Sequence, residues 1–280
     1  MDEYRIAAEQ LSRFSQMLRE EERCAGTIEN YLRHVRAFAA WLSGRPVTKQ
    51  AASAWKASLA ARYCPGTVNA MLVSLNRFFA FLGWRDCRVK LLRVQRRLFR
   101  DDSRELTQAE YGRLVSAARG QGRERLALLM ETVCATGIRV SEVRYITVEA
   151  LNAGRAEIAL KGKIRTILIP GKLRRRLAQY ARKNKTASGE IFLTRNGKPL
   201  SRKQIWAEMK ALCRKAGVAP TKVFPHNLRH LFARTFYRVF RDVAKLADVL
   251  GHSSIETTRI YLISTGAEHA RQIERLGLVV

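Results

Sequence analysis

Apolar residues recur every three to four positions along the first ninety residues, and glycine or proline interrupts that rhythm at short intervals. A chain patterned this way buries its apolar stripes by packing helix against helix. Ile6, Leu11, Phe14, Met17 and Leu18 mark a first helix, which Gly26 separates from the next. Thr27 is expected to cap a second, with Ile28, Tyr31, Leu32, Val35, Phe38, Ala39 and Leu42 along one face. Ser43-Gly44-Arg45-Pro46 breaks the pattern before a third helix over residues 48–63, and Pro65-Gly66 and Thr67 open a fourth, VNAMLVSLNRFFAFLG. Four helices with short connections predict a small all-α domain over residues 1–86.

The periodicity then fails. From Trp84 to Arg104 the chain carries seven arginines and no clean helical face, which predicts an extended basic linker, placed at 87–104, suited to lying along a phosphate backbone. A second domain, 105–280, begins where Thr107 and Glu110 have capping-box spacing. RLALLMETVCAT reads as a helix stopped by Gly137. Alternation over Ala156–Leu160 and Thr166–Ile169 predicts a small antiparallel sheet, with helices resuming at 172–182, at 202–216 and from Pro225 to the end. The expected fold class is therefore mainly α with a small antiparallel β-sheet: a four-helix front domain followed by an α+β domain.

Charge narrows the partner. Fifty-two Lys plus Arg against 24 Asp plus Glu leave a formal charge of +28, and the basic residues are spread through segments that also carry apolar periodicity. That balance points to a polyanion, nucleic acid first, rather than to a basic tail or membrane anchor. The five cysteines are odd in number, widely separated and lack a C-x-x-C pair, so they read as reduced core thiols without a zinc site. MDEYRIAAEQ lacks the layout of a signal peptide, and no apolar run is long enough to span a bilayer, so a cytoplasmic protein with no membrane partner is expected.

Chemistry concentrates in the second domain. Arg139, Lys161, His226 with Arg229, His252 and Tyr261 follow one another in the settings CATGIRVSEVR, LKGKIRT, PHNLRH, LGHSS and TTRIYL. Attack on a phosphodiester builds charge on its equatorial oxygens, and fixed cationic donors must meet it. A guanidinium fork pairs with two phosphate oxygens at once and stays charged, which suits Arg139 and Arg229. Glu142, three residues after Arg139, is placed to orient a neighbouring cation. Three of the five histidines fall between 226 and 252, and a neutral imidazole accepts a proton from a phenol or donates to a phosphate oxygen. Lys161 or Lys163, at the hairpin turn, is the candidate to protonate the departing oxygen.

Residues 137–142 (GIRVSE), 225–230 (PHNLRH), 250–252 (LGH) and 257–261 (TTRIY) resemble the tyrosine recombinases, the group holding phage integrases and Xer recombinases. The four-helix front domain resembles the core-binding domain of that family, so the likeness spans nearly the whole chain. It implies that Arg139 and Arg229 hold the scissile phosphate with His226 and His252 hydrogen-bonding it. Tyr261 would attack to form a 3′-phosphotyrosyl bond and release a 5′-hydroxyl, with the lysine as general acid and Glu142 in support. No cofactor is implied: the phosphotyrosyl link conserves the bond energy, and neither a phosphate-binding loop nor a carboxylate cluster is present in the sequence. The family's hairpin usually reads GKGxKxR, with the lysine five residues before the arginine, whereas LKGKIR places Lys161 only four residues before Arg165. Lys161 is favoured, and Lys163 is the alternative.

The partners implied are a double-stranded DNA recombination site and a homotetramer assembled on two such sites. The chain shows no added arm-binding module, so the simple two-domain type is expected, and the apolar end of LISTGAEHARQIERLGLVV is expected to pack on a neighbouring subunit. Two other classes fit the same residues less well: a catalytically silent architectural DNA-binding protein and a type IB-like topoisomerase.

Overall fold

The computed structural model describes residues 3–94, 102–160, 163–261, 270–271 and 273–278, with only the backbone of Asp102, Leu160 and Lys163. The chain divides into two compact units, residues 1–96 and 97–280.

The first unit holds helices α1 (Ala8–Glu20), α2 (Ala25–Leu42), α3 (Lys49–Ala60) and α4 (Pro65–Phe81). α2 and α4 pack most closely. Phe14, Val35, Phe38, Leu72, Leu75, Phe78 and Phe79 are wholly buried, and rings meet edge-on, as in Phe14–Phe78 at 5.2 Å and 74°. Each such side chain contributes about 1.5–3 kcal/mol by leaving water. Two helix starts lie earlier than the threonines suggest. Cys24 and Cys64 take the cap positions of α2 and α4, and their Sγ atoms contact the hydroxyls of Thr27 and Thr67 at 3.0 and 3.3 Å. Pro65 occupies the first helical position of α4, where a missing N–H costs nothing. Cys24 and Cys64 are thus exposed cap residues rather than core thiols; Cys87 and Cys213 are buried, and none of the five forms a disulfide.

The basic stretch after α4 is not loose where it is described. Trp84, Cys87 and Val89 belong to the first core. Asn76 clasps the backbone of Val89, accepting from its N–H at 3.0 Å and donating to its carbonyl at 2.8 Å. Asn69 does the same to Leu92, at 2.8 and 2.9 Å. The side-chain amides pair with the backbone as a neighbouring strand would, and so hold residues 89–92 against α4.

The second unit holds α5 (Gln108–Gly120), α6 (Glu124–Thr136), α7 (Val148–Ala153), strands β1 (Arg155–Leu160) and β2 (Lys163–Leu168), then α8 (Gly171–Lys183), α9 (Arg202–Lys210), α10 (Cys213–Ala216), α11 (Pro225–Phe240), α12 (Val243–Leu250) and α13 (Ile255–Arg259). The Thr107–Glu110 capping box forms in full. α6 is the central helix, buried on nearly every side, and α5, α8 and α11 pack around it. Its two buried threonines, Thr132 and Thr136, donate to carbonyls four residues back at 2.8 and 2.7 Å, which lets polar side chains sit in an apolar core. β1 and β2 pair antiparallel in the register Ile158↔Arg165 and Leu160↔Lys163. β2 alternates: Ile167 and Ile169 are buried, whereas Ile164 and Leu168 face out. Among the described residues no helix is long and apolar enough to cross a membrane.

Replacing Asn76 or Asn69 by alanine leaves a backbone N–H and carbonyl without partners. Each change is expected to destabilise the first unit by about 1–3 kcal/mol in urea unfolding and to speed proteolysis within 88–94; unchanged midpoints and cleavage would show that the clasps are dispensable.

Candidate active site

Two helix ends and one helix start meet in the second unit. α6 stops at Thr136, and Gly137 turns the chain with φ +64°. A Cβ at Gly137 would lie 2.6 Å from the Phe232 ring, so close approach as well as left-handed geometry calls for glycine. α12 likewise stops at Leu250, with Gly251 at φ +62°. The last carbonyls of both helices lack partners within the helix and carry the negative end of its dipole.

Arg229, one turn inside α11, fills that need. Its side chain is buried, with the residue 2% exposed. Nη1 donates to the carbonyl of Gly137, and Nη2 donates to that of Leu250 at 2.8 Å. Burial, with Arg139 nearby, lowers the guanidinium pKa, and the neighbouring Tyr261 hydroxyl and the charge of Glu142 oppose that shift. A cation this deep survives because two helix C-termini solvate it.

Arg139 caps a 3-10 turn, Val140–Tyr145, that follows α6. Its backbone N–H donates to Glu142 Oε2 at 3.0 Å and its Nη1 to Oε1 at 2.8 Å. Glu142, 2% exposed, therefore faces Arg139 across a turn rather than along an α-helix face. Arg165 Nη1 also donates to Oε2, at 3.0 Å. Two guanidiniums thus share one buried carboxylate. The outer part of Arg139 stays open, its side chain being 41% exposed.

His252 Nε2 lies 3.0 Å from Arg229 Nη2, and its Nδ1 lies 2.8 Å from Thr258 Oγ1. Arginine only donates, so Nε2 accepts and Nδ1 carries the proton, a neutral imidazole. Its pKa is pushed down to about 4 by burial and then by Arg229, Arg139 and Arg165. His226, in the first turn of α11, has its pKa lowered by partial burial and by the same pair Arg229 and Arg139. Tyr261, just past α13, is 3% exposed. Its ring lies parallel to that of His252 (5.7 Å, 14°), edge-on to His230 (4.5 Å, 77°) and 6.0 Å from His226.

Arg139, Glu142, His226, Arg229, His252 and Tyr261 are therefore brought together from four separate stretches of chain. Lys161 lies outside the described residues, and Lys163 opens β2 with only its backbone described. Three neighbours escaped the sequence reading. Arg165 faces inward between Ile158 and the α12 end, a position its strand alternation marks. His230 stands one turn from His226 and 4.6 Å from it ring to ring. Thr258 takes the hydrogen bond of His252 Nδ1 at 2.8 Å and is wholly buried. Among the described residues no group of three His, Cys, Asp or Glu is placed to hold a metal ion.

A paired-arginine pocket around a buried phenol, set in a helical domain with one small hairpin and preceded by a four-helix domain, defines the class of the tyrosine recombinase fold. Residues 104–268 match the phage integrase family, and residues 11–86 match the phage integrase N-terminal SAM-like domain. The chain belongs to the phage integrase family and is an enzyme of the tyrosine recombinase class. The tyrosine recombinase XerA of Pyrococcus furiosus is 29% identical, the alignment covering 100% of this chain and 98% of that one. The tyrosine recombinase XerC of Roseiflexus castenholzii is 30% identical over 90% of this chain and 88% of its own. Among solved structures, a lambda integrase dimer bound to a COC′ core site superposes with a TM-score of 0.74 at 18% identity, covering 91% of this chain and 94% of that one. The Tn1549 transposon integrase in complex with transposon right end DNA gives 0.73 at 18% identity, over 96% and 99%. At such identities these two structures establish a shared fold.

The depressed histidines set a pH window for stability. The unfolded chain binds a proton at His252 near the ordinary value of 6.5 and the folded chain only near 4. The unfolded state therefore takes up more protons between those values, so stability is full above pH 6.5 and declines as pH falls toward 4. Melting temperatures recorded from pH 7.5 to 4.5 are expected to fall through this window, with a shallower slope in His252→Gln. Equal slopes would place His252 in an unperturbed setting.

Proposed function

We propose that this chain cleaves and rejoins DNA at a specific double-stranded site through a 3′-phosphotyrosyl intermediate formed on Tyr261. The observation that carries the reading is the position of Tyr261, buried with its ring parallel to that of His252 at 5.7 Å, while His252 Nε2 accepts from Arg229 Nη2 at 3.0 Å. The candidate nucleophile thus lies beside a neutral imidazole that is tied to the guanidinium proposed to hold its target.

A scissile phosphate entering this pocket meets Arg139 from its exposed side and Arg229 from beneath. Both forks neutralise the charge that grows on the equatorial oxygens. The phenol must lose a proton as it attacks. Neutral imidazoles beside it are the fitting acceptors, and His252, with Nε2 unprotonated, turns from acceptor to donor on taking that proton. It then hydrogen-bonds the phosphate it helped to attack, as does His226. The departing 5′ oxygen takes a proton from a hairpin lysine, Lys161 in preference to Lys163. Rejoining runs the same steps in reverse, the 5′-hydroxyl displacing the tyrosine, so the bond energy is conserved without ATP.

The basic four-helix domain (1–86) and the linker (87–104) would grip the duplex while the catalytic domain (105–280) closes on the phosphate. We assign the working form as a homotetramer on two sites. One solved structure of this fold is a lambda integrase tetramer bound to a Holliday junction, with a TM-score of 0.74 at 18% identity. The exposed Ile273, Leu276 and Leu278 near the end of this chain offer an apolar face to a neighbouring copy.

Nicked suicide duplexes built from the DNA flanking the gene test the reading. Wild type is expected to form an adduct that resists denaturation, and Tyr261→Phe none. Lys161→Ala should slow formation by about 10²-fold or more, with Lys163→Ala much less affected. An adduct persisting in the Phe variant would displace Tyr261 as nucleophile. Binding without any adduct would indicate an architectural protein, and plasmid relaxation without strand exchange a topoisomerase.

A further inference from the structure

We propose that Arg165 is a positioning residue for this cleavage site: it neutralises Glu142, so that the charge of Arg139 is left for the phosphate, and it holds the end of α12 that carries His252. The inference rests on the roles proposed above for Arg139 and His252.

Arg165 faces inward from β2, and its side chain is only 11% exposed. Its fork is divided. Nη1 donates to Glu142 Oε2 at 3.0 Å, and Nη2 donates to the Val249 carbonyl in the last turn of α12 at 2.9 Å. Val249 lies three residues before His252. One side chain therefore ties the hairpin to both halves of the pocket. Nε is buried and has no hydrogen-bond partner among the described residues, an arrangement that costs stability. Space is reserved for it as well: a Cβ on Gly251 would run into the Arg165 side chain.

The charges explain the need. Glu142 accepts from Arg139 at both the backbone N–H and Nη1. Were Arg139 its sole cationic partner, the buried carboxylate would cancel the positive charge that the phosphate requires. With Arg165 on Oε2 the three groups together keep one net positive charge, directed to the open side of Arg139. Glu142 then orients Arg139 without silencing it. The same guanidinium helps keep His252 neutral, since it is among the cations that lower the His252 pKa.

The test uses the full-length protein and the suicide duplex that gives the wild-type adduct. The duplex is synthesised with either the ordinary diester or a methylphosphonate at the scissile position. The methyl group removes the anionic charge that Arg139 must meet. Arg165→Gln is expected to slow cleavage of the diester by roughly 10- to 100-fold. On the neutral methylphosphonate the loss should shrink to less than about threefold, and Arg139→Ala should show the same relief. Arg165→Lys keeps the charge but not the fork, and its loss on the diester should fall between wild type and the Gln variant. Melting temperatures identify any variant that fails to fold, and Arg165→Lys carries the test if Arg165→Gln does.

An equal loss for Arg165→Gln on both duplexes would show a merely structural role and overturn the proposal, as would full wild-type rates in Arg165→Lys. If Arg139→Ala also loses equally on both, the reading of Arg139 fails. A wild-type protein that forms no adduct on any flanking duplex removes the reaction itself, and the proposal with it.

Discussion

The second unit depends on how one buried guanidinium is solvated. Arg229 sits where water does not reach, and a cation there is tolerable only if fixed dipoles replace the lost hydration. The carbonyls of Gly137, which caps α6, and of Leu250, the last residue of α12, do this: both helices end at left-handed glycines that turn the chain and leave these carbonyls pointing at the fork. Helix ends that normally look for solvent or a cap find an arginine. In satisfying it they bring Gly137, Leu250 and the start of α11 to one point, and so place Arg139, His252 and Tyr261 around the same cation. Packing and site construction are a single event in this domain.

The histidines follow from that arrangement. Arginines surround them at close range, so protonation would add like charge to a partly dry pocket. The hydrogen bond from Arg229 to His252 Nε2 and the bond between Nδ1 and Thr258 then settle which nitrogen holds the proton. A neutral base beside a phenol thus results from the cations that also favour an anion in the pocket.

Local rules carried far into the fold. Helical stripes predicted α1 to α4, and the Thr107–Glu110 spacing predicted a cap that forms in full. The strands were legible from alternation, although β2 starts at Lys163, earlier than the apolar run suggested. Helix starts were misplaced at Thr27 and Thr67, because a threonine within the first turn resembles a cap and only the backbone angles distinguish the two. The arginine-rich stretch after Trp84 hid Cys87 and Val89, whose burial depends on asparagines in α4 that have no partner nearby in sequence.

Sequence by itself determined the helical class, the break between a four-helix domain and a mixed one, the basic charge, and six of the side chains that converge: Arg139, Glu142, His226, Arg229, His252 and Tyr261. Those assignments rest on residue type and short spacing, which a linear pattern records. Tertiary structure alone decided that Glu142 is shared with Arg165, that His252 is neutral with its proton on Nδ1, that His230 flanks Tyr261, and that Gly137 and Gly251 lack the room for a side chain. Most of these depend on contacts between segments distant in sequence, such as Gly137 against Phe232 and Gly251 against Arg165. Burial and charge act through space, and no local pattern specifies which distant group supplies them.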